Sequence, residues 1–129
     1  MIKESVKGNI VINQPAGHLE RNESLLEAVI REMLEETQYE FKPTGLLGVY
    51  RFIPDQTTDL TYIRYLFCGT AGRQFEGKLD EGIISAEWMS YAEIKASAVC
   101  HRSPMVMQCI EDFMHRSPCS LELLSHNFA

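Results

Sequence analysis

The chain has 129 residues, of which 45% are hydrophobic and 23% are charged. This length and composition are typical of a single globular domain with an ordinary core, and they exclude a disordered chain. The domain is predicted to span residues 1–129. The formal net charge of −6 argues against a surface for nucleic-acid duplexes or anionic membranes, because such partners attract Lys and Arg.

The opening segment MIKESVKGN carries charges at Lys3, Glu4 and Lys7, so it is not the apolar core of a signal peptide. No apolar run is long enough to span a bilayer. The four cysteines form no C-x-x-C pair, and the sequence therefore indicates neither a zinc site nor a disulfide framework. We expect a cytoplasmic protein that has no membrane partner.

The first third of the chain combines two short strands with one helix. Strand-forming residues occupy 1–6 and 9–13, on either side of a Gly-Asn turn signal. A loop broken by proline and glycine follows. Helical periodicity then runs from about 23 to 37, where apolar residues recur every four positions, and Asn22 is the predicted N-cap.

The remaining sequence predicts more strands and two further helices. Ser90 with Glu93 forms a capping box for one helix, and Ser103 followed by Pro104 starts the other. Trp88, in the last strand, is expected in the core. The order of elements predicts an α/β fold with helices packed on a mixed sheet. Strands are predicted at 45–53, 61–71 and 84–90, and helices at 91–98 and 104–115.

The first helix has an acidic face. At about 100° per residue, Glu32, Glu35 and Glu36 fall within an arc of roughly 100° beside the apolar stripe. Each like-charge pair at this spacing costs roughly 0.2–0.5 kcal/mol. Mg²⁺ or Mn²⁺ would relieve the repulsion, because both bind carboxylates together with substrate phosphate. The alternative is a solvated acidic face. The preceding loop, 15–17, favours the cation because it can bring a backbone carbonyl to the helix.

The spacing of these residues resembles the Nudix box, G-x5-E-x7-R-E-U-x-E-E-x-G-U, where U is apolar. Gln38 stands where the family has glycine, a departure that bears on where the helix ends rather than on the ligands. The resemblance implies the Nudix fold, an α/β/α sandwich around a mixed β-sheet. Within residues 17–39 the matching positions are Gly17, Glu23, Arg31, Glu32, Met33, Glu35, Glu36 and Tyr39.

The resemblance extends beyond the box. The segments NQPAGHLE at 13–20, YIRYLF at 62–67 and RSPMV at 102–106, with Trp88, look like the bacterial phosphatase branch of the family called NudJ. This implies Mg²⁺-dependent hydrolysis of nucleoside tri- and diphosphates and of hydroxymethylpyrimidine pyrophosphate. Family members have a further strand before the loop. We therefore expect a longer natural protein whose first strand is missing from this sequence.

The resemblance also assigns roles to the acids. Glu32, Glu35 and Glu36 bind the divalent cations, with the backbone carbonyl of Gly17 or its neighbour as a further ligand. Glu32 and Glu35 are candidate catalytic residues as well, because one carboxylate must take a proton from the attacking water. Glu81 is another candidate base, since the family often supplies one from the loop before the late strand. The alternative for Glu81 is a solvated loop.

Four further residues are candidates around the acids. Arg31 is expected to pair with Glu23 and so to orient a catalytic glutamate. His18, Arg51 and Arg64 are candidate substrate-binding residues. A solvated position is the alternative for His18, and a strand-to-helix salt bridge is the alternative for Arg64.

The function that these features favour is metal-dependent hydrolysis of a nucleotide or another small pyrophosphate, by attack of water on phosphorus. A non-catalytic nucleotide-binding module of the same fold is the main alternative. The four intact box glutamates favour the enzyme. An acidic helix used for protein interaction is a third alternative, and it predicts no cation dependence. The sequence leaves monomer and homodimer undecided.

Overall fold

The computed structural model describes residues 1–54 and 56–126. Its elements follow the predicted order, and within these ranges no helix is long and apolar enough to cross a bilayer. The strands are β1 (Ile2–Val6), β2 (Asn9–Asn13), β3 (Tyr39–Phe52), β4 (Tyr62–Gln74) and β5 (Ile83–Ala86), and the helices are α1 (Leu25–Thr37), α2 (Tyr91–Ala96) and α3 (Met105–His115).

The strands pair in two antiparallel sheets. One has the order β2-β1-β5, and the other joins β3 to β4. The β1–β2 hairpin turns at Lys7 and Gly8, whose φ angles of 49° and 82° are those of a two-residue turn with both central residues left-handed. In the described ranges, parallel pairing is seen at an isolated bridge between Ile12 and His101. The chain leading to α3 therefore runs beside β2.

Strands β3 and β4 are longer than the sequence indicates. β3 begins at Tyr39, directly after α1, and passes through Pro43. Proline lacks an N–H, yet Pro43 faces Gly69 where the register shifts, and such irregularities tolerate proline. β4 continues to Gln74, three residues beyond the predicted end of this strand.

The expectation of a core tryptophan is wrong. β5 ends at Ala86, and Trp88 beyond it is 75% exposed. Its Nε1–H donates a 3.0 Å hydrogen bond to the hydroxyl of Tyr39, and the two rings meet edge to face with centroids 5.7 Å apart. The indole is held at the surface because its polar edge and one side of its ring find a partner there.

Helix α1 begins two residues later than predicted. Its N-cap is Ser24, whose Oγ accepts a hydrogen bond from the Glu27 N–H at 3.1 Å while the Glu27 carboxylate accepts one from the Ser24 N–H at 2.7 Å. This reciprocal capping box displaces the predicted cap, Asn22, which has a φ of 66°. The predicted capping box of α2 is present, and the Ser103 hydroxyl accepts from the Met105 N–H at the start of α3.

Gln38 ends α1 in the left-handed conformation, with φ 61° and ψ 15°. This conformation costs a residue with a side chain about 1–2 kcal/mol. The side-chain amide of Gln38 offsets the cost by donating hydrogen bonds to the carbonyls of Leu34, at 3.0 Å, and Lys78, at 3.1 Å. The helix therefore ends at Thr37 although the box glycine is replaced.

The helices cover the sheets and enclose the core. α1 packs against β3 and β5, and α3 packs against β3 and α2. This arrangement places the acidic face of α1 at the edge of the core. The buried apolar residues come from both sheets and all three helices: Ile2, Ile12, Ala28, Leu46, Leu47, Ile94, Val106 and Cys109.

The hydrogen bonds of Gln38 lead to a stability prediction. Gln38→Ala removes both side-chain bonds and keeps the left-handed backbone, so it should lower the unfolding free energy by about 1–2 kcal/mol. Gln38→Gly loses the same bonds, but glycine adopts the left-handed conformation without steric strain. It should therefore be about 1 kcal/mol more stable than Gln38→Ala. Urea denaturation of the three proteins measures both differences. Equal stability of the two variants would contradict the backbone cost.

Candidate active site

The loop before α1 lies directly on the acidic face of the helix. The Ala16 N–H donates a 2.9 Å hydrogen bond to Glu36 Oε2. A side-chain carbon added at Gly17 would overlap the carboxylate of Glu32. Glycine is needed here for close approach rather than for an unusual backbone angle. The loop backbone and two of the predicted ligands are therefore in contact, as the spacing of the box predicts.

Glu36 is buried among other acids. It is 8% exposed, and burial raises the pKa of Glu36 to about 7, assisted by the charges of Glu32, Glu4 and Asp80 and opposed by the Ala16 N–H. Carboxylates from α1, β1 and the loop before β5 thus act on one buried group. A bound cation would correct this imbalance of charge.

Arg31 organises the rest of the acidic face. Its Nε and Nη2 bind both oxygens of Glu23 at 3.0 and 2.7 Å, and its Nη1 donates to Glu32 at 2.7 Å and to Glu35 at 3.1 Å. Nη2 also donates to the backbone carbonyl of His18 at 3.0 Å, which ties the loop to the helix. The hydrogen bond to Glu23 is the main cause that raises the pKa of Arg31 above its usual value. The expected pairing with Glu23 is present.

The acids do not form a ready-made metal centre. In residues 1–54 and 56–126, no three His, Cys, Asp or Glu side chains are grouped so that they could hold an ion. The reason is that Arg31 holds Glu32 and Glu35, while Glu36 is bound to the loop. The donor set still fits Mg²⁺ chemically, because carboxylate and carbonyl oxygens are its preferred protein ligands. The ligand roles stay a prediction.

The loop before β5 is tied to α1 by its backbone. The Asp80 N–H donates to the Glu35 carbonyl at 3.0 Å, and the charge of Asp80 reaches Glu36. Glu81, the predicted candidate base, is the next residue and is exposed. The structure therefore brings this loop to the acids, as expected. The residue whose charge acts on Glu36 is Asp80 rather than Glu81.

Glu4 is an acid near the site that sequence reasoning missed. It is 9% exposed on β1, and its Oε1 accepts hydrogen bonds from Arg102 Nη1 at 2.7 Å and from Asn13 Nδ2 at 3.4 Å. Read as part of a polar N-terminal segment, Glu4 looks like a surface charge. The signal that could have found it is the two-residue period of β1, which puts Glu4 on the buried side with Ile2.

Arg64, a predicted substrate-binding residue, and its neighbour Tyr50 lie on the side of the β3–β4 sheet that faces α3. Tyr50 and Arg64 lie opposite each other in the register and so share one side of the sheet. The Tyr50 hydroxyl donates to Asp112, and burial together with this bond raises the pKa of Tyr50. Arg64 lies beside Cys109, where burial raises the pKa of the thiol and Arg64 acts in the opposite direction.

His18 connects the loop with this side of the sheet. Its ring lies 5.5 Å from that of Tyr62, centroid to centroid, at a tilt of 31°. Tyr62 precedes Arg64 by two residues and therefore shares its side. Arg51 is exposed on the opposite side, since it follows Tyr50 in the strand. The structure thus brings His18 and Arg64 to one region and does not bring Arg51 there.

The pKa of Glu36 predicts a pH-dependent stability in metal-free protein. The ordinary pKa of Glu36 is 4.5, and its pKa in the folded protein is about 7. At pH values between these two, the folded state binds more protons than the unfolded state. The contribution of Glu36 to the unfolding free energy should therefore fall as pH rises through this window. Glu36→Gln still accepts the Ala16 N–H but cannot ionise. It should be more stable than the wild type above pH 7 and lose this advantage below about pH 4.5.

Urea denaturation in a chelating buffer, at a series of pH values, measures this difference. A stability difference between the two proteins that stays constant across the window would show that Glu36 does not titrate there.

This chain is similar to known proteins of one family. The family model of the NUDIX domain matches residues 2–108. Phosphatase NudJ of Shigella boydii serotype 4 is 34% identical over 96% of this chain and 80% of its own length. Phosphatase NudJ of Escherichia coli K12 is 32% identical with the same coverage.

The fold is also that of a solved structure. A NUDIX hydrolase from Nitrosomonas europaea superimposes with a TM-score of 0.91 at 41% identity, covering 98% of this chain and 86% of the other. The family model covers most of the chain. The relatives and the solved structure are all more than 30% identical to this chain. The chain therefore belongs to the Nudix family, has the Nudix fold and is a hydrolase of phosphoric anhydride bonds.

Proposed function

We propose that this enzyme is a divalent-metal-dependent phosphatase of nucleoside tri- and diphosphates or related small pyrophosphates, hydroxymethylpyrimidine pyrophosphate among them. The observation that carries the proposal is the contact of the loop with the helix, in which Ala16 and Gly17 lie against Glu36 and Glu32. The similarity to proteins named Phosphatase NudJ supports a phosphatase. A cytoplasmic location is part of the same proposal.

Glu32, Glu35 and Glu36, with the Gly17 carbonyl, are the residues that would hold Mg²⁺, or Mn²⁺ in its place. When bound, the cation neutralises phosphate oxygens and makes water a better nucleophile. Arg31 holds Glu32 and Glu35 in fixed positions through its hydrogen bonds.

Glu32 and Glu81 are the candidates to take the proton of the attacking water. A base must lie within hydrogen-bond reach of that water. Glu32 touches the loop at Gly17, whereas Glu81 is exposed before β5. The position of Glu32 favours it as the base.

The substrate itself would lie between the acids and α3. Arg64 offers a positive charge to substrate phosphate, and the rings of His18 and Tyr62 border the same region. Arg51 lies outside this region and has no role in the proposal.

Phosphate release from a panel of nucleoside di- and triphosphates and hydroxymethylpyrimidine pyrophosphate tests the proposal. We expect release that requires Mg²⁺ and falls roughly 100-fold or more in Glu36→Gln, as when a group that supports transition-state charge is lost. Release without added cation would contradict the metal role. If no compound is hydrolysed but nucleotides raise the melting temperature, the binding module replaces the enzyme.

The close approach at Gly17 gives a second test. Gly17→Ala should fold with an unfolding free energy within about 1 kcal/mol of the wild type, because the overlapping atoms belong to the flexible end of Glu32. The carboxylate must nevertheless leave its place, so we expect a weaker Mg²⁺ dependence and slower phosphate release. Urea denaturation and a Mg²⁺ titration of activity measure these effects.

Gly72→Ala is the matched control for that variant. A carbon added at Gly72 also meets a glutamate side chain, that of Glu40, but on β4 away from the acids. Equal activity of the two variants would show that the contact between Gly17 and Glu32 does not matter for the reaction.

A further inference from the structure

Arg102 is bound to one of the acids that act on Glu36. Its Nη1 donates a 2.7 Å hydrogen bond to Glu4 Oε1, and the charge of Glu4 helps to raise the pKa of Glu36. The backbone N–H of Arg102 donates to the carbonyl of Ile12 at 2.9 Å, directly before the segment 13–16 that leads to Glu36. One side-chain contact and one backbone contact therefore fix Arg102 beside the acids.

Most of the Arg102 guanidinium remains available for another partner. The Arg102 side chain is 47% exposed, whereas that of Glu4 is nearly buried. An arginine has five N–H donors in a rigid planar fork, and within the described part of the chain the bond to Glu4 is the one that its side chain makes. The buried carboxylate thus holds the guanidinium in place while about half of the side chain stays accessible. Such a fork matches the oxygens of a phosphate group.

Arg31, the arginine on α1, has no donor nitrogen left over. All three of its nitrogens donate to protein oxygens, which belong to Glu23, Glu32, Glu35 and His18. A phosphate that approaches the acids meets negative charge. A bound cation offsets part of this charge, and a positively charged side chain with open donors would offset more of it. Arg102 is such a side chain, since it is accessible and lies next to the acids.

We propose that Arg102 binds a phosphate group of the substrate through the guanidinium donors that Glu4 leaves open. This inference rests on the proposed function and adds a substrate-binding residue just before α3. Arg64, the residue predicted for such a role, lies beside Cys109 on α3, whereas Arg102 is bound to an acid that acts on Glu36. Arg102 is therefore the better placed of the two for a phosphate at the acids.

The chain contains a matched control for Arg102. The tetrapeptide His-Arg-Ser-Pro occurs twice, at 101–104 and at 115–118. The second copy contains Arg116, which also pairs with a nearly buried carboxylate, that of Asp112, at 3.1 Å, and whose side chain is 53% exposed. Arg116 follows the last residue of α3, so this helix, roughly 16 Å long, separates it from Arg102.

Calorimetry with methylenediphosphonate and Mg²⁺ tests the proposal, because this analogue of pyrophosphate is not hydrolysed. Arg102→Gln should raise the dissociation constant of the analogue roughly 10-fold or more, the scale of hydrogen bonds to a charged group. Arg102→Lys keeps the charge and should lose less affinity. Arg116→Gln should keep the wild-type value. With substrate, Arg102→Gln should raise KM more than it lowers kcat, because the phosphate is bound before and during the reaction.

Arg102→Gln also removes the counter-charge of Glu4, which is a second cause by which anion binding would weaken. The same substitution in a Glu4→Gln background separates the two causes. We expect the loss of affinity to recur in that background, since Glu4 is then already neutral.

Four results would overturn the inference: a wild type that does not bind the analogue, an unchanged dissociation constant in Arg102→Gln, an equal loss in Arg116→Gln, or a loss that disappears in the Glu4→Gln background. The phosphate-release panel tests the proposed function separately. If no pyrophosphate is hydrolysed, the proposed function fails, and the calorimetric series still decides the role of Arg102.

Discussion

The structure depends on how negative charge is held on one face of α1. Arg31 binds Glu23, Glu32 and Glu35 together, and Glu36 is left buried against a backbone N–H. One guanidinium cannot neutralise four acids, and a buried charge without a counter-charge is unfavourable. The repulsion that weakens the isolated helix is thus the same property that a divalent cation would relieve.

Several elements fix the position of this charge. The capping box at Ser24 sets where α1 begins, and Gln38 sets where it ends. Between these points the rotation of the helix is determined, so the acids face the loop at Gly17. β1 and the loop before β5 then add Glu4 and Asp80 from outside the helix. The acidic region therefore belongs to the fold as a whole and not to the box alone.

Features that depend on short-range spacing could be predicted from the sequence. The acids of α1, the approach of the loop and the pairing of Arg31 with Glu23 all follow from intervals of a few residues along one helix. Whether a side chain is buried depends on parts of the chain that are distant in sequence. The burial of individual residues was therefore predicted less well than their spacing. Trp88 lies outside the core because β5 ends before it, and Glu4 is buried because its strand is central in a sheet. The wrong N-cap is different, since Ser24 with a glutamate three residues later was a readable signal.

Glu36 is the group that this distribution of charge leaves least satisfied. The guanidinium of Arg31 is bound to Glu23, Glu32 and Glu35, so within the described residues the partner of the Glu36 carboxylate is a single backbone N–H. Proteins keep such groups mainly where function needs them. A cation bound at Glu36 would therefore stabilise the folded state as well as serve the reaction.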